Sequence, residues 1–312
     1  MTETNFPILD WSRFTSGSDR DGFVADLSKA CRDTGFFLIT GHGIEQSLID
    51  ATLKVGDDFF ALSISEKAKL DISKIGNNRG WSGPGNENLD DTQPDQRDRK
   101  EAFNTGLEFA PDDPRLTSQA FRGMNVWPDV PGFRDTVMTY FEAVHALGID
   151  LHRAIALELG LPEHYFAPFL DEPLATLRML RYPAGAPEPG EIGAGAHTDY
   201  GSITVLYSDG EPGLQVRPRN KDWVDVPSVP GAFVINIADC LMRWTNDIYV
   251  STPHRVLVPR NTRRSLAFFL DPNPDAVIEA LPGTGDAKYP AVTGAEYLRQ
   301  RLDATYTDKI TA

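Results

Sequence analysis

From residue 174 onward the chain breaks into short strand-like runs, 174–182, 202–207, 213–218, 222–227, 232–237, 254–259 and 264–270, each cut off by Gly, Pro, Asn or Asp. Runs this short do not stand alone. Many of them at near-even spacing predict a sandwich or jelly roll, in which each strand buries one face against a second sheet. The residues before them have another texture. Phe23, Val24, Leu27 and Ala30 recur at helical spacing over 20–34, and residues 46–62 continue the amphipathic pattern. Between them Gly35-Phe36-Phe37-Leu38-Ile39 reads as a buried strand stopped by Gly41-His42-Gly43. The longest helical pattern, 131–160, ends at Gly160 and Pro162, and the tail, 293–306, returns to helix. Residues 74–100 are polar and rich in Gly, Asn, Asp and Pro, a long loop of the kind that often carries function. Helices, then strands, then a helix predict an α+β fold whose helices cover one face of a β core.

A chain of 312 residues with 41% hydrophobic content can fill a sizeable core, so residues 1–312 read as one compact unit. Asp and Glu outnumber Lys and Arg by 45 to 30, a formal charge of −15. That balance argues against nucleic acid, which needs a basic stripe, and against an anionic membrane surface. No run reaches the length of a membrane span. Cys31 and Cys240 make neither a disulfide framework nor a thiolate metal site, and the N-terminus lacks a basic start and an apolar segment. A cytoplasmic location is the expectation. No feature sets the oligomeric state.

The chemistry points to three residues. His197 and Asp199 form an H-x-D pair, and His254 follows 55 residues after Asp199 at the head of another strand-like run. If 197–206 enters a strand, His197 and Asp199 share a face, because side chains alternate. Two imidazoles and one carboxylate can hold one side of a metal and leave other positions open. These ligands suit Fe(II) and also accept Mn, Co, Ni or Zn, so a zinc hydrolase stays open on ligand type, although H-E-x-x-H is absent. Arg263-Arg264-Ser265 begins nine residues past His254. Arg263 and Ser265 would lie on one strand face, and a guanidinium beside a hydroxyl is a receptor for a carboxylate. His42, in a turn, reads as structural, His164 follows a helix end, and His145 and His152, seven apart on the long helix, are expected to face solvent or cap the core; none is a candidate ligand. Arg79, Trp81, Phe103, Phe269 and Asp271 are candidates for a substrate pocket wall, with Arg79 able to hold a substrate carboxylate.

These residues belong to an ordered series. Phe6-Pro7-Ile8-Leu9-Asp10, Gly35-Phe36-Phe37 through Gly41-His42-Gly43-Ile44, Asn78-Arg79-Gly80-Trp81, Lys100-Glu101-Ala102-Phe103 and Val126-Trp127-Pro128 come first. Arg181-Tyr182-Pro183, His197-Thr198-Asp199, Gly213-Leu214-Gln215-Val216, Thr245-Asn246, His254-Arg255-Val256 and Arg263-Arg264-Ser265 complete it. From about residue 5 to 306 the chain resembles the 2-oxoglutarate- and Fe(II)-dependent oxygenases of the isopenicillin N synthase-like superfamily. The resemblance implies a double-stranded β-helix (jelly roll) at 172–275, flanked by an N-terminal dioxygenase-type region at 5–125 with its helices, a long central helix and a C-terminal helix at 290–306. It implies Fe(II) on His197, Asp199 and His254, and 2-oxoglutarate reaching Arg263 and Ser265 with Tyr182 nearby. It implies a dioxygenase that uses O2, converts 2-oxoglutarate to succinate and CO2, and hydroxylates, desaturates or cyclises a small organic molecule. An Fe(II) oxidase of the isopenicillin N synthase type, which does not use 2-oxoglutarate, and a non-catalytic ligand-binding protein are the alternatives.

Overall fold

A computed structural model describes residues 6–90, 92–93, 95–219 and 221–306. Its main sheet runs in the order Ile8–Asp10, Phe36–Thr40, Phe233–Ile237, Ile203–Ser208, Arg263–Leu270, Thr176–Tyr182, Glu101–Gly106 and Gly80–Ser82. Only Ile8–Asp10 pairs in parallel, with Phe36–Thr40; the other neighbours in this sheet are antiparallel. A second sheet holds Val224–Asp225, Leu214–Val216, His254–Val256 and Ala194–His197.

Strand alternation divides the main sheet between two cores. Phe37, Ile39, Ile203, Val205, Phe233, Ile235, Leu266 and Phe268 face outward and join the apolar faces of the helices Arg20–Asp33, Gln46–Phe60 and Phe133–Glu158. Their neighbours Phe36, Leu38, Leu180, Tyr182, Val234 and Ala267 face inward and meet Ala194, Leu214, Val216 and Val256 of the second sheet. Period-two alternation thus builds a helix-backed jelly roll whose interior lies between the sheets.

Local chemistry fixes the joints. The helix Arg20–Asp33 begins at Asp19, whose carboxylate accepts from the Gly22 N–H at 3.1 Å. After it the chain turns through Gly35 at φ 62°, where a Cβ would fall 1.9 Å from the Val250 carbonyl oxygen, so only glycine lets the next strand enter the sheet. Gly148 lets the long helix approach the sheet, since a Cβ there would lie 2.8 Å from Leu270 Cδ2.

Three expectations are corrected. The run 197–206 is not one strand: Ala194–His197 and Ile203–Ser208 lie in different sheets, and Gly201 and Ser202 turn between them. The polar 74–100 region is not wholly loop, because Gly80–Ser82 adds a strand and Arg97–Asp98 pairs with Glu191–Ile192. His152 is not at the surface. It is 1% exposed, its Nδ1–H donates to the Gly148 carbonyl at 2.7 Å, and its Nε2 accepts from Ser202 Oγ at 2.7 Å.

Burial pulls the His152 imidazole from an ordinary 6.5 down to about 4, against the opposing pull of its bond to Gly148. The unfolded chain therefore takes up the proton first on acidification. The stability held by the neutral ring is complete above about pH 6.5 and lost as pH falls toward 4, a span of about 3 kcal/mol. Replacing His152 by Gln should flatten the dependence of the urea midpoint on pH in that window. An unchanged slope would assign the acid sensitivity to another group.

Candidate active site

His197 ends the strand Ala194–His197, and His254 opens His254–Val256 directly opposite it in the second sheet. This cross-strand pairing brings the imidazole centroids within 4.3 Å. Asp199 lies two residues further on, in the turn. Its Oδ1 is 3.7 Å from His197 Nε2 and 3.6 Å from His254 Nε2. These separations leave room for one ion at about 2 Å from each atom.

The far side of each ligand is held. His197 Nδ1–H donates to the Gly195 carbonyl at 2.7 Å and His254 Nδ1–H to the Thr252 carbonyl at 3.3 Å, so both Nε2 lone pairs turn toward Asp199. Asp199 Oδ2 accepts from Thr204 Oγ1 at 2.5 Å and from Asn236 Nδ2 at 2.8 Å, leaving Oδ1 to face the imidazoles. Burial, reinforced by His254, holds the His197 imidazole well below its ordinary range, so the ring is neutral at pH 7. Burial alone would raise the Asp199 carboxyl; the two imidazoles and the bonds from Thr204 and Asn236 outweigh it and lower the value. Two imidazoles with a carboxylate and no thiolate are a donor set that fits Fe(II).

The support extends outward. Gly195, whose carbonyl orients His197, donates its N–H to Asp98 Oδ1 at 2.9 Å, and Lys100 Nζ donates to Asp98 Oδ2 at 2.5 Å. Thr198, between two of the ligands, donates to Asp239 at 2.9 Å, and Asp239 meets Arg301 of the C-terminal helix Gly294–Tyr306 at 2.6 Å.

Arg263 and Ser265 share the inner face of the strand Arg263–Leu270, as their spacing predicts. Each is 1% exposed. Tyr182 stands opposite Arg263 in the sheet, with the guanidinium 5.1 Å from its ring centre. Arg263 Nε and Nη1 and Ser265 Oγ are buried without hydrogen-bond partners. Arg263 borders a cavity of about 110 Å³ whose walls include Leu38, Ser208, Leu214 and Val234. An uncompensated buried guanidinium is costly, so these donors fit an anion between the sheets.

The five pocket-wall candidates divide. Phe269 lies on the inner face opposite Thr204, and Arg79 is buried over Gly106 at the far side of that face. Asp271 follows the strand close to Gly201; burial, with Asp199 nearby, pushes its carboxyl up to about 7. Trp81 and Phe103 are misassigned to the pocket: paired with each other in the sheet, they face the helices, where Phe103 packs on Phe59 and Phe133. Even-numbered positions of Glu101–Gly106 face inward, so Phe103 belongs to the opposite side. Sequence reasoning overlooked Thr204 and Asn236, which hold Asp199. A buried polar side chain set between apolar ones, Thr204 between Ile203 and Val205 and Asn236 between Ile235 and Ile237, was the available signal.

With the site described, likeness to known proteins can be stated. Residues 6–130 match the family described as non-haem dioxygenase in morphine synthesis, N-terminal, and residues 174–272 match the 2OG-Fe(II) oxygenase superfamily. The chain is 36% identical to the 2-oxoglutarate-Fe(II) type oxidoreductase hxnY of Emericella nidulans, over 98% of this chain and 92% of that protein. It is 33% identical to a homoarginine-6-hydroxylase of Arabidopsis thaliana, over 93% and 91% of the two. A Neurospora crassa enzyme solved with α-ketoglutarate and thymine superposes with a TM-score of 0.86 at 33% identity, covering 96% of this chain and 97% of that one. The protein therefore belongs to the Fe(II)- and 2-oxoglutarate-dependent oxygenase superfamily.

Proposed function

We propose that His197, Asp199 and His254 hold the Fe(II) of this dioxygenase, and that Arg263 and Ser265, beside Tyr182, receive the distal carboxylate of 2-oxoglutarate. The observation that carries the reading is the pairing of a preoriented His–Asp–His set with unpartnered buried donors on the same inner face. When bound, iron and 2-oxoglutarate supply oxygen activation and the oxidising power for hydroxylation, with succinate and CO2 as coproducts. The chain's own residues do the rest. Gly195 and Thr252 hold the imidazole tautomers, and Thr204 and Asn236 hold the carboxylate. The apolar walls between the sheets exclude water.

The substrate is a small organic molecule bound on the inner face by Phe269 and Arg79. Relatives of this chain act on or bind small molecules, among them homoarginine and thymine. The acidic net charge speaks against nucleic acid as substrate. Among the described residues no helix is long and apolar enough to cross a membrane. The regions 5–125, 172–275 and 290–306 act as one unit, with Arg301 joining the last to the metal turn through Asp239 and Thr198. What favours this reading over an iron oxidase independent of 2-oxoglutarate is the likeness to relatives described by their use of 2-oxoglutarate or solved with it, since the Arg263-x-Ser265 pair could serve either.

Incubation of the Fe(II) protein with 2-oxoglutarate and air should yield succinate even without the primary substrate, and His197→Ala should abolish it. Wild-type protein that forms no succinate would sink the proposal. Arg263→Ala should raise the KM for 2-oxoglutarate by about ten- to a hundredfold, the loss expected for a charged hydrogen bond. Asn236→Ala should weaken Co(II) binding, read by titration, by about ten- to a hundredfold while the circular dichroism spectrum is retained. Unchanged Co(II) affinity would deny Asn236 its orienting role.

A further inference from the structure

The inner face holds a second buried guanidinium that nothing in the metal or cosubstrate reading uses. Arg79 is 5% exposed. Its Nη1 donates to the Asn77 and Asn78 carbonyls, both at 3.2 Å, and its Nε has no partner. Among the described residues no carboxylate lies within ion-pair distance of it. Other buried cations on this side are paired: Arg178 with Glu87, and Lys100 with Asp98 and Glu87. Arg122 stands near Arg79 and adds a second positive charge, its own bonds going to Gln119 and to the Glu172 and Pro173 carbonyls.

Register places Arg79 in the same row as the metal ligands' supports. Thr204, which holds Asp199, stands opposite Phe269; Phe269 stands opposite Thr176, and Thr176 opposite Gly106. A Cβ on Gly106 would fall 1.8 Å from Arg79 Nη2 and 2.2 Å from its Cζ. The guanidinium therefore occupies the place of a residue-106 side chain on the inward face. Three strand spacings, about 14 Å, separate Thr204 from Gly106, the span of one small molecule with Phe269 between. Asn104 Oδ1, two residues from Gly106 on the same face, is also buried without a donor.

We propose that Arg79 is the receptor for an anionic group of the substrate, so that the enzyme acts on a small carboxylate whose acid end lies at Gly106 and whose body crosses Phe269 toward the metal. This rests on the metal and cosubstrate reading above. Charge balance supports it. Fe(II), Asp199, the 2-oxoglutarate dianion and Arg263 together sum to zero, and Arg79, with Arg122 beside it, leaves positive charge over. Burial, with Arg122 nearby, pulls the guanidinium down to about 10, so it stays charged at neutral pH. Replacing a buried charge that lacks a counterion relieves the fold, whereas removing a structural arginine weakens it.

The test is the melting temperature of the Fe(II) protein under argon, for wild type, Arg79→Met and Arg79→Lys. Phenylacetate and phenylacetamide at about 10 mM serve as probes of equal shape and different charge. The Met variant should melt above wild type. Phenylacetate should raise the wild-type midpoint, phenylacetamide should not, and the shift should vanish in the Met variant and survive in reduced form in the Lys variant. A Met variant melting below wild type, a phenylacetate shift that is absent from wild type or persists in the Met variant, or an equal response to the amide would each overturn the assignment. The shift produced by 2-oxoglutarate, which depends on Arg263, should be the same in all three proteins. Its absence from wild type would strike the cosubstrate reading and is a separate failure.

Discussion

The pairing of His254 with His197 across the second sheet is the contact on which the rest of the site depends. It joins residues far apart in sequence and sets the imidazole centres 4.3 Å apart, the rings tilted to each other. A shift of either strand by one residue would turn its histidine to the other face of the sheet and part the two rings, because side chains alternate with period two. Asp199 then completes the set from a turn, and that turn is fastened by Thr204 and Asn236 from the main sheet. The metal site is thus a bridge between the two sheets, and its geometry is as rigid as their packing.

Charge organises the interior in the same way. Most ionisable groups on the inner side are matched, as in Glu87 with Arg178 and Asp98 with Lys100. Among the described residues, Arg263 and Arg79 are buried with unpartnered guanidinium nitrogens and no carboxylate at ion-pair distance. Buried charges without partners lower the stability of the fold, so their presence at the two ends of one interior face marks where anions complete it. The network behind His197, from Gly195 to Asp98 to Lys100, ties the strand Arg97–Asp98 to the metal side of the same face.

Much of this was legible in the chain. The helices and the strands follow from hydrophobic period and turn residues; the proposed ligand set rests on residue type together with the family resemblance. What stayed hidden depends on register. His197 and Asp199 look like strand neighbours in sequence, yet Gly201 and Ser202 send the chain into the other sheet. Trp81 and Phe103 look like pocket walls because they flank a polar loop, but alternation turns them toward the helices. Arg79 is readable as a cation that could meet a substrate carboxylate, but only the missing side chain of Gly106 shows where its guanidinium lies. Asn236 was readable only as a polar intrusion in an apolar strand.

The central claim is that His197, Asp199, His254 and Arg263 together bind iron and 2-oxoglutarate as one unit. Anaerobic absorption spectroscopy of the Fe(II) protein tests it most directly. Addition of 2-oxoglutarate should produce a visible metal-to-ligand charge-transfer band that saturates stoichiometrically in wild type and is absent from His254→Ala. A spectrum that stays featureless in wild type, or an unchanged band in the variant, would contradict the account.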